Sequence, residues 1–143
     1  MKDSPETTPP ARRYRIDKVL GRGGQGTVYQ GRLQTAGGFE KPVAIKVLDP
    51  ELARRPGMIA RLRDEARMLG LLHHRAIVKV DGLVEIQGHH GVVMELVEGC
   101  TLLELLRQGP LPLGPALLAA AEIAGALDVA WQRPGPDGRP LRL

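Results

Sequence analysis

Nine residues constrain this chain more than any others: Leu20-Gly21-Arg22-Gly23-Gly24-Gln25-Gly26-Thr27-Val28. Glycines at 21, 23 and 26 allow backbone N–H groups to approach a polyphosphate with no Cβ in the way. A glycine-rich hairpin turn is the plain alternative. A dinucleotide-binding βαβ unit would need its third glycine to open a helix. Here Thr27-Val28-Tyr29 follows, a strand-forming run, so the pattern predicts strand, glycine turn, strand. That arrangement is a flap over phosphates, and the dinucleotide fold is set aside.

The rest of the chain extends this start into a mixed layout. The spacing predicts strands over about Tyr14–Gly21, Thr27–Leu33 and Pro42–Leu48, with Gly37-Gly38 as a turn and Asp49-Pro50 closing the run. A helix from about Met58 to His73 carries Met58, Leu62, Leu69 and Leu72 on one face. Two further strands, Ile77–Ile86 and Gly91–Val97, are joined by a polar turn at Gln87-Gly88-His89-His90. A short helix at Leu102–Gln108 and a long one at Leu117–Trp131 follow, then a turn-rich loop from Pro134 to Pro140. Residues 1–12 read as a tail. The order implies an α+β fold with an antiparallel sheet.

Lys46 lies in Val43-Ala44-Ile45-Lys46, where strand alternation puts Ala44 and Lys46 on one face and Val43, Ile45 and Val47 on the other. It is either a surface charge on an edge strand or a cation held beneath the flap. Glu65 interrupts the apolar helix face at steps of four and three, between Leu62, Leu69 and Leu72. A carboxylate drawn into such a stripe needs a cationic partner. Lys46 is one candidate; a solvent-facing Glu65 paired with Arg61 is the other.

Composition closes several routes. Hydrophobic residues are 43% and charged residues 25% of the 143, a globular balance. The single serine, Ser4, lies in the tail, which argues against a serine nucleophile. The one cysteine, Cys100, rules out an internal disulfide and fits a reducing compartment. Residues 1–13 contain no apolar signal core, so the expected location is cytoplasmic. The apolar tract Leu111–Ala130 is broken by Glu122 and Asp128, against a membrane span. Six arginines between Arg54 and Arg75 face only Asp64 and Glu65, which admits a nucleic-acid reading. Aromatic residues at 3% leave no stacking platform, so no nucleic-acid partner is expected. The pairs His73-His74 and His89-His90 lack further ligands at metal-binding spacing, and no metal site is expected in the chain.

Taken together, Gly21, Gly23, Gly26 and Val28, then Val43-Ala44-Ile45-Lys46, Glu65 and His74-Arg75-Ala76-Ile77-Val78 resemble the front of bacterial-type serine/threonine protein kinases. Arg75 stands where that family usually has proline. The resemblance covers about Tyr14 to Trp131 and implies a five-stranded antiparallel N-lobe with one packed helix, at residues 13–97. The hinge and the first helices of an incomplete helical C-lobe would occupy 98–143. It implies ATP as ligand, with magnesium brought in by the nucleotide. Leu20, Gly21, Arg22, Gly23, Gly24, Gln25, Gly26, Thr27 and Val28 would cover the nucleotide. Lys46 would hold its α- and β-phosphates and Glu65 would orient Lys46. Met94 would be the gatekeeper in Val92-Val93-Met94-Glu95-Leu96-Val97. Glu95 and Val97 would bond the adenine edge through their backbones, and Leu20, Val28 and Ala44 would sandwich the ring.

The same resemblance implies transfer of the γ-phosphoryl group of Mg-ATP to protein serine or threonine hydroxyls. None of the family's H-R-D, D-F-G or A-P-E motifs occurs in these residues. The expectation is therefore a fragment cut before its catalytic loop, inactive by itself. The alternative is a non-catalytic nucleotide-binding or regulatory module.

Overall fold

Antiparallel pairing builds one five-stranded sheet, in the order β1-β2-β3-β5-β4. The computed structural model describes residues 12–35 and 37–134. The strands are β1 (Arg13–Gly23), β2 (Gly26–Gln34), β3 (Glu40–Leu48), β4 (Val80–Ile86) and β5 (His89–Glu95). Between β3 and β4 lie α1 (Pro50–Ala53) and α2 (Met58–Leu71). After β5 come α3 (Leu102–Arg107) and α4 (Leu113–Gln132). The tail to residue 11 and the loop beyond Pro134 fall outside the described residues.

The two faces of β3 organise the sheet's packing. Val43 and Ile45 are fully buried with Val93 and Leu33 on one side. On the other side Leu48 packs with Val92 and with Leu62 and Ala66 of α2. Strand pairing sets this up: Ile45 lies opposite Val93, and Ala44 opposite Met94. Directly opposed residues point to the same side of a sheet. Val28, opposite Lys46, therefore shares a face with Ala44, Lys46 and Met94, the face on which α2 is laid.

Local chemistry fixes the element ends. Asp49 accepts from the Glu51 N–H at 2.8 Å and Pro50 opens α1, an N-terminal cap absent from the strand-end reading of Asp49-Pro50. The turn between β4 and β5 is Gln87-Gly88 alone, with φ of 51° and 79°. Such a two-residue turn, positive in φ at both positions, matches the twist of the paired strands. His89 and His90 therefore belong to β5, opposite Ile86 and Glu85, and not to the turn. Helix α3 opens on a capping box: Thr101 accepts from the Glu104 N–H, and Glu104 accepts from Thr101. Helix α4 begins at Leu113, four residues before the sequence expectation, because Pro112 and Pro115 are both tolerated in a first turn.

The segment after α2 meets α4. Ala76 N–H donates to His74 Nδ1 at 3.1 Å, turning the imidazole toward Gly125, where a Cβ would lie 3.3 Å from Nε2. Arg75, the departure from proline, pairs with Glu122 of α4 at 3.3 Å. Helix α4 is long and apolar enough to cross a membrane by length and composition alone. Only Ala130 of its residues is buried.

Candidate functional site

The glycine turn closes over the end of β3. β1 and β2 pair through Gly21 with Val28, Arg22 with Thr27, and Gly23 with Gly26, leaving Gly24-Gln25 as the tip. The pairing slips between Val19 and Gly21, so Leu20 is unpaired in the ladder and 47% exposed. Gly26 adopts φ +145°, and a Cβ there would stand 2.0 Å from the Val47 carbonyl oxygen. Packing thus demands glycine at 26. A Cβ at Gly21, Gly23 or Gly24 would meet nothing within 4 Å. None of those three has a left-handed φ. The protein itself gives no reason for glycine there, whereas a group docked under the flap would.

Beneath the tip lies Lys46. Its Nζ donates to Gln25 Oε1 at 2.9 Å and stands 4.0 Å from Glu65 Oε1. Glu65 is half-exposed at the edge of the α2 stripe, and Ala66 beside it fills the buried position. This corrects the picture of a carboxylate sunk in the apolar face. Glu65 faces Lys46 from the rim, and Arg61 shares the small cavity lined by Gln25, Lys46 and Glu65. Behind Lys46 a second, largely apolar cavity of about 90 Å³ runs between α2 and β5, bordered by Leu69, Val80, Val92 and Met94.

The remaining expected residues extend along the same face. Val28 is half-buried, Ala44 is 6% exposed, and Met94 lies opposite Ala44. Glu95 ends β5 and is fastened twice to Lys79. Its N–H donates to the Lys79 carbonyl at 2.9 Å, and its Oε1 accepts from the Lys79 N–H at 2.8 Å. Val97, two residues on, is 67% exposed and open to solvent. Gly21 to Gln25 are exposed, and Thr27 is half-buried in β2.

Two features escaped the sequence reading. It placed Gln25 among the residues covering the nucleotide and gave its side chain no partner, because nothing in a turn sequence says where a side chain at the tip will fall. It gave Lys79 no role; the Glu95–Lys79 clasp spans 16 residues and has no local signal. Among the described residues no group of three or more His, Cys, Asp or Glu side chains is placed to hold a metal ion.

Residues 14–131 match the family described as protein tyrosine and serine/threonine kinase. Serine/threonine-protein kinase pkn2 of Myxococcus xanthus is 40% identical over 115 residues, covering 80% of this chain and 14% of the relative. Serine/threonine-protein kinase PknL of Mycobacterium tuberculosis is 37% identical over 119 residues, 82% of this chain and 29% of the relative. The solved Mycobacterium tuberculosis PknI kinase domain superposes with a TM-score of 0.68 at 31% identity, covering 84% of this chain and 48% of that domain. The chain thus spans less than a third of the length of these curated relatives and about half of the solved kinase domain. With sheet order, glycine turn and lysine strand in agreement, this chain belongs to the protein kinase family, on its bacterial serine/threonine side.

Proposed function

We propose that these residues are the ATP grip of a serine/threonine protein kinase. The observation that carries the reading is the Lys46 cation bonded to the tip of a glycine turn whose Gly21, Gly23 and Gly24 have no packing need to be glycine. Backbone N–H groups of the flap would face the phosphates, with Lys46 on the α- and β-phosphates and Glu65 orienting it. Val28, Ala44 and Met94 supply an apolar face for the adenine, and the backbones of Glu95 and Val97 border its edge. The Lys79 clasp holds Glu95 in place for that bond. Residues 13–97 form the N-lobe in this reading, and the segment from residue 98 opens the C-lobe.

When bound, Mg-ATP supplies the transferable γ-phosphoryl group and the charge neutralisation for its departure. This chain's own residues bind and orient the nucleotide; the catalytic aspartate and the metal ligands of the family have no counterpart among them. Phosphotransfer to protein serine or threonine hydroxyls belongs to a protein in which the second lobe follows, and these residues alone are inactive. A cytoplasmic location accords with the exposed free thiol of Cys100.

Titration calorimetry with ATP tests the reading. The chain should bind, and Lys46→Ala should weaken binding by about 10- to 100-fold, as expected for loss of a charge-assisted hydrogen bond. Equal affinity in the variant overturns the grip. Lys46-dependent phosphorylation of a protein substrate by the purified 143 residues overturns the inactivity.

A further inference from the structure

We propose that the Gln25 side chain is a latch on Lys46, holding the flap down until the phosphates of a nucleotide displace it. The inference rests on the ATP-grip reading above. The Lys46 ammonium is bonded at 2.9 Å to the neutral amide oxygen of Gln25, while the Glu65 carboxylate stands off at 4.0 Å, outside hydrogen-bond reach. A neutral partner from the flap has thus taken the cation ahead of a charged one from the helix.

The same residue fastens the flap's main chain. The Gln25 carbonyl accepts from the Asp49 N–H at 3.2 Å, and Gly26 is seated against the Val47 carbonyl with no room for a side chain. Tip and strand end are therefore joined twice, by the Lys46 side chain and by a backbone bond at Asp49. The amide of Gln25 fills the gap between flap and ammonium, the space that phosphates gripped from both sides would occupy.

An anionic phosphate oxygen is a stronger acceptor for an ammonium than a neutral amide oxygen, because it adds a charge–charge attraction. Phosphates entering beneath the turn exchange the Lys46–Gln25 bond for Lys46–phosphate bonds and free the Gln25 amide. Lys46, no longer held toward the tip, is then able to close the remaining distance to Glu65. Release of the Gln25 side chain and completion of the Lys46–Glu65 pair become one event, set off by the phosphates and not by the adenine.

The test titrates ATP and adenosine into the chain and into two variants. Gln25→Met keeps the length of the side chain and removes the acceptor; Gln25→Glu strengthens the latch and repels phosphate. Gln25→Met should bind ATP about 3- to 10-fold more tightly than the parent, with adenosine affinity unchanged. Gln25→Glu should bind ATP about 10-fold more weakly. A parent that binds ATP while Gln25→Met binds it equally or less well overturns the latch and leaves the ATP grip standing. A parent that binds neither ATP nor adenosine overturns both. If Gln25→Met does not fold, Gln25→Ser, too short to reach Lys46, carries the same expectation.

Discussion

Helix α4 is more apolar in sequence than the sheet, yet the sheet is the region that is enclosed. In the sheet, Val43, Ile45 and Val93 are completely enclosed, and α2 adds Leu62 and Ala66 against the other face. In α4, Leu117, Leu118 and Leu127 are each more than 60% exposed, and Ile123 and Trp131 about half. Hydrophobicity alone therefore says nothing about where stability comes from; enclosure by neighbouring elements does. The sheet finds those neighbours within five strands and one helix. Helix α4 meets the segment after α2 at His74 against Gly125 and at Arg75 with Glu122, and buries only Ala130.

The sharpest way to break this comparison is a pair of matched truncations. Ile45→Ala should lower unfolding stability by about 2–5 kcal/mol, because it empties an enclosed site. Leu117→Ala should change it by no more than about 0.5 kcal/mol. Urea denaturation measures both, and similar costs at the two sites would erase the distinction.

A smaller effect separates glycines that serve packing from those that do not. Gly26→Ala forces a Cβ onto the Val47 carbonyl at a left-handed φ and should cost more than about 2 kcal/mol. Gly23→Ala should leave stability within about 0.5 kcal/mol of the parent and weaken ATP binding. A matching loss of stability in both would mean that the whole turn, and not Gly26 alone, is anchored to the sheet.

The smallest effect belongs to α3, which is held by its own cap. Hydrogen bonds from the Thr101 backbone and then from its hydroxyl keep the Glu104 carboxyl below the usual carboxylate range. A depressed folded value contributes stability above the unfolded carboxyl's range, and that contribution is lost as pH falls through the folded value. NMR shifts of Thr101 and Glu104 should therefore show the start of α3 fraying on acidification while the sheet signals hold. Glu104→Gln should abolish that pH dependence. Simultaneous melting of α3 and the sheet would show that the two regions are coupled.

Much of the fold was legible because it is written in local periodicity. The alternation Val43-Ala44-Ile45-Lys46 assigned both faces of β3 correctly, since strand geometry leaves no freedom in which side a residue takes. Helix α2 was found from its 3–4 spacing, although Ala66, small and unremarkable in sequence, occupies the enclosed place nearest Glu65. Helix α1 was missed despite a cap-and-proline signal at Asp49-Pro50, because the same dipeptide also ends strands. The histidine pair at 89 and 90 went to the turn because polarity suggested a loop. Gly88 closes the hairpin in two residues and pulls both histidines into the ladder.

The sequence by itself determined the kind of chemistry available here: a glycine turn, a strand lysine and a helical glutamate at spacings that bring them to one face. Backbone period and turn preference are short-range properties, and short-range properties survive in a string of letters. Only the tertiary structure decided which partner Lys46 takes, that Glu65 waits at 4.0 Å, and that Glu95 is clasped to Lys79. Those contacts join residues 16 to 21 positions apart, and strand register, helix placement and side-chain direction set them together.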